Sequence, residues 1–172
     1  ARSRPPPAPV RAPPRAGARI LDVGCGKGRQ TIQLARHYKA PVIAVDINAN
    51  YLKELEQSAV DAGLSKLIQT RCASMEQLDY SANSFDVIWC EGAIYHVGVT
   101  KALTQWSPML RYRGAIAFTE LSWLKDDIPH EAKLYWARHH QEMTTVNMNR
   151  RKGEAAGFEV IDHFPLPAAD WW

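Results

Sequence analysis

From Ala18 onward the chain predicts a three-layer α/β fold built on a doubly wound, mainly parallel sheet. Two observations carry that expectation. Short apolar runs alternate with amphipathic helical stretches, the arrangement of a parallel sheet with crossovers on both faces. The first apolar run also breaks at once into a glycine-rich turn, "ILDVGCGKGRQ", after which a helical pattern begins. Right-handed crossovers would then wind the sheet both ways from its middle. Ligands of such sheets bind beyond the carboxyl ends of the strands, where the winding reverses.

The elements follow in order. "ARILDV" is a buried strand, and a helix runs from about Gly28 to Tyr38. "PVIAVD" is the second strand. Asn48 can cap the next helix, where Leu52, Leu55, Ala59 and Ala62 form one apolar stripe before Gly63 ends it. "KLIQTRC" is a weaker third strand and "SFDVIWC" the fourth, followed by a helix from about Thr100 to Arg111. "GAIAFTEL" is the fifth strand. Pro129 suits the first turn of a long helix through Met143, and a shorter helix precedes a sixth strand, "FEVIDHF".

Residues 1–17 contain six prolines and almost no large apolar side chain, so they predict a disordered or polyproline-like tail ahead of a domain spanning 18–172. That tail explains the net charge of +3. Residues 1–19 hold five arginines and no acid, leaving 16 basic against 18 acidic residues in the rest of the chain. A slightly acidic body argues against a nucleic-acid platform. No apolar run reaches the ~18 residues of a membrane span. A chain of 172 residues buries about 70% of its unfolded surface without disulfide or metal. Cys25, Cys72 and Cys90 are few, odd in number and widely spaced, which reads as free thiols in a reducing cytoplasm.

The glycine turn has the form D-x-G-x-G-x-G, Asp22 to Gly28. A dinucleotide turn would place its third glycine at position 29, which is Arg29, and an acid just before the glycines is unwelcome beside a pyrophosphate. A helix start that attracts anions, with a carboxylate beside it, instead fits a ligand bearing both signs of charge.

These residues resemble the first motif of class I S-adenosylmethionine-dependent methyltransferases. The resemblance extends through Asp46, "ASMEQLDYSANSFDVIWCEGAIYHVG" and "AIAFTELSW", covers roughly residues 18–165, and is strongest to the UbiE-like, type 11 small-molecule branch. It implies a Rossmann-like fold and S-adenosyl-L-methionine as cofactor. Gly24, Cys25, Gly26 and Gly28 would let the backbone approach the methionine part, with Asp22 near its ammonium. Asp46, 22 residues after Gly24, would accept from the ribose hydroxyls. Ile47 would cover the adenine or pack into the core. Ser74 stands where the family has an adenine-recognising acid and would serve the adenine with Met75, or else cap a turn. Glu91 would lie beside the methionine arm, and Tyr95 and His96 would face the transferable methyl.

The implied activity is in-line methyl transfer to a small-molecule acceptor, with His96, Glu91 and Glu120 as candidate bases. The alternative is a cofactor-binding regulatory or interaction domain of the same fold. Trp106, Trp123, Tyr135 and Trp136 could line an aromatic acceptor pocket; Trp123 is the favoured wall, whereas Trp106 and Tyr135 read as core. His130, His139 and His140 have no metal spacing and read as a solvated helix face, and Arg150, Arg151 and Lys152 as a solvent-facing basic run. The chain differs from its resembled family at Leu110–Gly114, where "LKPGG" is usual. It also offers no evident counterpart of the N-terminal lid helices or last strand, so the expectation is either a fragment or a cofactor lid that lacks a part. The acceptor atom and any association between copies stay open.

Overall fold

Sequence and physics meet first in the strands. The structure, a computed structural model, describes residues 17–140 and 142–167. The tail expected at 1–17 therefore lies outside the described residues except for Gly17, an exposed turn residue.

Strand β1 (Ile20–Val23) is buried at all four positions, as a central parallel strand must be. Strands β2 (Val42–Asp46) and β4 (Phe85–Cys90) flank it, with β3 (Ile68–Cys72) beyond β2 and β5 (Leu110–Phe118) beyond β4. The order β3-β2-β1-β4-β5 is parallel at every pairing. The winding reverses at β1, so the loops after β1, β2 and β4 converge at one end of the sheet.

Helices α1 (Arg29–Tyr38), α2 (Ala49–Asp61) and α3 (Val99–Trp106) supply the outer layers. Helix α1 buries Thr31, Leu34 and Ala35, and Leu34 and Ala35 join Ile20, Val42 and Val87 on one sheet face. Helix α3 buries Ala102, Leu103 and Trp106 against Leu21, Val23 and Ile88 on the other. Asn48 caps α2, its side chain accepting from the N–H groups of Asn50 and Tyr51, as its position predicts. Trp106 is core, 1% exposed, and donates its indole N–H to the Met75 carbonyl at 3.3 Å.

The second half departs from expectation. Helix α3 stops at Trp106 rather than Arg111, because Pro108 has no N–H and forces a 3-10 turn over Ser107–Met109. Strand β5 begins at Leu110, ahead of the expected "GAIAFTEL", with a register shift opposite Phe85–Val87. The residues of the unusual turn, through Arg113 at φ 64°, are taken into that irregular strand start.

Two short strands, β6 (Ser122–Trp123) and β7 (Thr144–Thr145), pair in parallel, with α4 (His130–His139) between them and α5 (Val146–Ala155) after. Helix α4 ends at His139, short of Met143, and contains no buried residue. Tyr135 is 56% exposed, not core. The sixth strand is not formed. Gly157 turns the chain (φ 87°), Phe158 donates back to the Gly153 carbonyl, and Ile161 and Phe164 stand in solvent with no sheet to cover.

Candidate active site

The loop after β1 is built by hydrogen bonds across to β2. Gly24 and Cys25 both donate to the Val45 carbonyl, at 2.8 and 3.0 Å. Gly26 donates to Asp46 Oδ2 at 2.8 Å, and Asn48 donates to Oδ1 at 2.8 Å. The Asp46 carboxylate is thus fixed in orientation, and each oxygen keeps a second lone pair for another donor.

The glycines serve different ends. At Gly26 (φ 54°) an added Cβ would meet nothing within 4 Å, so space above the loop is open. At Gly24 a Cβ would stand 2.5 Å from the Ala93 Cβ and 2.9 Å from Met75 Cε, and at Gly28 it would collide with Leu55. Gly24 and Gly28 are therefore needed by the protein's own packing. Their spacing does not distinguish that need from ligand approach.

Asp22 lies beneath the loop, 2% exposed, accepting from the Thr31 hydroxyl at 2.6 Å. Burial pushes its carboxyl up to about 7; the Thr31 bond opposes the rise, and the charges of Glu91 and Asp46 add to it. Cys25, half-buried, has its thiol pushed up by the same burial. Glu91, just past β4, accepts from the Gln30 side chain at 2.7 Å. Gln30, in the first turn of α1, carries no signal in the sequence that would have found it.

Ile47 is 75% exposed at the site's edge, which removes the core-packing alternative for it. Ser74 accepts from Glu76 N–H at 3.2 Å, so it does cap its turn. Met75 packs toward Gly24 from the same turn. Asp22, Gly24, Cys25, Gly26, Gly28, Asp46, Ile47, Met75 and Glu91 thus gather around the ends of β1, β2 and β4.

A second group lies past the ends of β4 and β5. Gly92 donates to the Thr119 hydroxyl at 2.8 Å, and beside them opens a cavity of about 300 Å³ lined by Tyr95, Glu120, Trp136 and His140 among others. His140 Nε2 and Glu120 Oε1 are 2.5 Å apart, with the two side chains 5% and 6% exposed. Burial raises the Glu120 carboxyl above its ordinary range, against the opposing pull of His140 and Lys152. His140 therefore does not belong to a solvated helix face. Its partner stands 20 residues away, beyond the reach of a periodicity argument. His96 is exposed, packed on Tyr95 at 4.1 Å between ring centres, and does not line the cavity. Neither does Trp123, which sits in β6; Trp136 takes the place expected of it. In the basic run, Lys152 approaches Glu142 at 3.6 Å, and Arg150 and Lys152 are half-buried.

Comparison with known proteins adds the family. A model described as "Methyltransferase domain" matches residues 21–118. The chain is 35% identical over 105 residues to a dimethylglycine N-methyltransferase of Parasynechococcus marenigrum, covering 60% of this chain and 38% of that protein. It is 31% identical over 156 residues to a ubiquinone biosynthesis O-methyltransferase of Idiomarina loihiensis, covering 84% and 63%. The chain thus spans less than two thirds of each relative. In fold it is similar to an S-adenosylmethionine-dependent methyltransferase from Thiobacillus denitrificans solved with S-adenosyl-L-homocysteine (TM-score 0.71, 21% identity, 85% of this chain and 59% of that one).

Proposed function

The chain belongs to the methyltransferase domain family, and on that premise we propose that it binds S-adenosylmethionine and passes its methyl group to a small-molecule acceptor. The observation that carries the reading is the Gly26–Asp46 bridge. It fixes a carboxylate beside open space at the point where the sheet's winding reverses.

The residues present fit the cofactor. Asp46 has lone pairs left for a ribose diol. Exposed Ile47 offers an apolar face for the adenine, with Ser74 and Met75 on the neighbouring turn. Glu91, steadied by Gln30, faces the methionine end. Asp22 is a buried acid without a cation beside it among its described contacts, and a ligand's ammonium would favour its ionised form.

When bound, the cofactor supplies a methyl group already activated as a sulfonium, so the protein's work is alignment and exclusion of water. Gly92, tied to Thr119, keeps the chain thin between the two groups of residues. Tyr95 and Trp136 wall the acceptor side, and Glu120 with His140 provides a proton-accepting pair there. His96 and Glu91 remain poorer bases in this arrangement. The first is exposed outside the cavity, and the second is engaged by Gln30.

The test uses cofactor tritiated in its methyl group, incubated with the chain and a pooled metabolite extract. Label should move to small molecules in amounts proportional to protein. Label that stays on the cofactor while S-adenosylhomocysteine binds would leave a binding domain without turnover.

A further inference from the structure

The cavity past β4 and β5 holds a buried polar atom that the fold leaves without a partner among the described residues. Glu120 Oε2 is buried and has no hydrogen-bond partner among the described residues, although Oε1 meets His140. A buried carboxylate oxygen left unpaired is destabilising unless something else supplies the donor. On His140, Nε2 meets Oε1, where a proton on Nε2 would be donated to an ionised Glu120, and Nδ1 has no hydrogen bond among the described residues. The two side chains come from different elements, β5's end and α4's end, and both line the cavity.

The surrounding charges and rings select the sign of a ligand. Glu142, whose carboxylate lies against Gly98, has Lys152 at 3.6 Å to offset it. Lys152 also acts on Glu120, but more weakly than His140 does. Among the described residues the Glu120 carboxyl pairs with His140 and with no Lys or Arg side chain. Tyr95 and Trp136 add ring faces that attract positive charge. His139, also on the wall, bonds through Nδ1 to the Tyr135 carbonyl at 2.7 Å. A neutral apolar acceptor would pack on these rings but would bring no charged donor to Oε2.

We propose that this cavity is the acceptor subsite and takes a protonated amine, which donates to Glu120 Oε2 and gives up its proton to His140. The step balances simply. One N–H bond of the ammonium breaks, its electron pair stays on nitrogen, and the proton bonds to His140 Nδ1. Glu120 holds the Nε2–H and offsets the imidazolium charge, and the freed lone pair makes the nitrogen a nucleophile. The inference rests on the S-adenosylmethionine reading above. The probe is therefore chosen to separate the two.

Sinefungin carries an amine where S-adenosylmethionine carries its transferable methyl, and S-adenosylhomocysteine carries nothing there. Calorimetry of both ligands on the full chain, and on Glu120→Gln and His140→Gln, reads the cavity without any turnover. The expected result is that the chain favours sinefungin over S-adenosylhomocysteine by about tenfold or more, the size of one charge-assisted hydrogen bond. Glu120→Gln should lose that preference while keeping its S-adenosylhomocysteine affinity, and Glu120→Asp should recover part of it. Circular dichroism establishes that each variant is folded.

Equal preference in chain and variants would overturn the proposal and leave Oε2 to an internal water. A parallel loss of both ligands in Glu120→Gln would also overturn it, since the pair would then merely hold α4 in place. Failure of the unaltered chain to bind S-adenosylhomocysteine would sink the cofactor reading, and this inference with it.

Discussion

Asp22→Asn probes the buried acid beneath the glycine loop. In the unfolded chain this carboxyl titrates near 3.8, and in the folded chain at about 7. Between those values the folded state holds a proton that the unfolded state has lost. Stability therefore falls as pH rises through this window, the reverse of a salt-bridged acid. The span from pH 5 to pH 7 covers about two units of it, worth about 3 kcal/mol. Asparagine has nearly the same shape, keeps an oxygen to accept from Thr31, and cannot ionise. Urea denaturation of both proteins without ligand, at pH 5 and pH 8, measures the difference. The variant's stability relative to the unaltered chain should improve by about 3 kcal/mol between the two pH values. An advantage that stays flat or shrinks would refute the burial argument. The same substitution should weaken S-adenosylhomocysteine binding, because the variant lacks the anion that pairs with the ligand's ammonium. In the unaltered chain, binding near pH 6.5 should release a proton, visible as a buffer-dependent calorimetric heat.

Three further substitutions separate packing from binding. Gly28→Ala should destabilise the chain by about 2 kcal/mol or more, measured by thermal melting, since the new methyl meets Leu55 at a positive φ. Gly26→Ala meets no protein atom, so its stability loss should stay near the ~1–2 kcal/mol of a left-handed residue, while S-adenosylhomocysteine affinity falls at least tenfold by calorimetry. Trp106→Ala should cost about 3–5 kcal/mol in denaturant, through the cavity left in the core beside α3 and the lost bond to Met75.

The first half of the fold was legible because β1 is a continuous apolar run buried at every position, and α2 carries its own side-chain cap. Ile20–Val23 and Asn48 needed no tertiary information. The second half depends on contacts between distant residues. The start of β5 at Leu110 is set by pairing with Phe85, not by the local pattern Leu-Arg-Tyr-Arg. "FEVIDHF" alternates like a strand, yet has no sheet partner among the described residues. The same division holds in the site. Asp46, the glycines and Glu91 lie one residue pattern away from their strands, so position along the chain sufficed to place them. His140 is buried against Glu120 and Tyr95, both distant in sequence, and Trp136 lines the cavity from a helix with no buried stripe.

The central claim is that the loop after β1 and the carboxylate after β2 together hold S-adenosylmethionine. Calorimetric titration with S-adenosylhomocysteine of the unaltered chain and Asp46→Asn tests it most directly. The substitution removes the charge but can still accept one of the loop's two N–H bonds. Binding should be saturable and one-to-one in the unaltered chain and at least tenfold weaker in the variant. Equal affinity in the two proteins, or no heat in either, would contradict it.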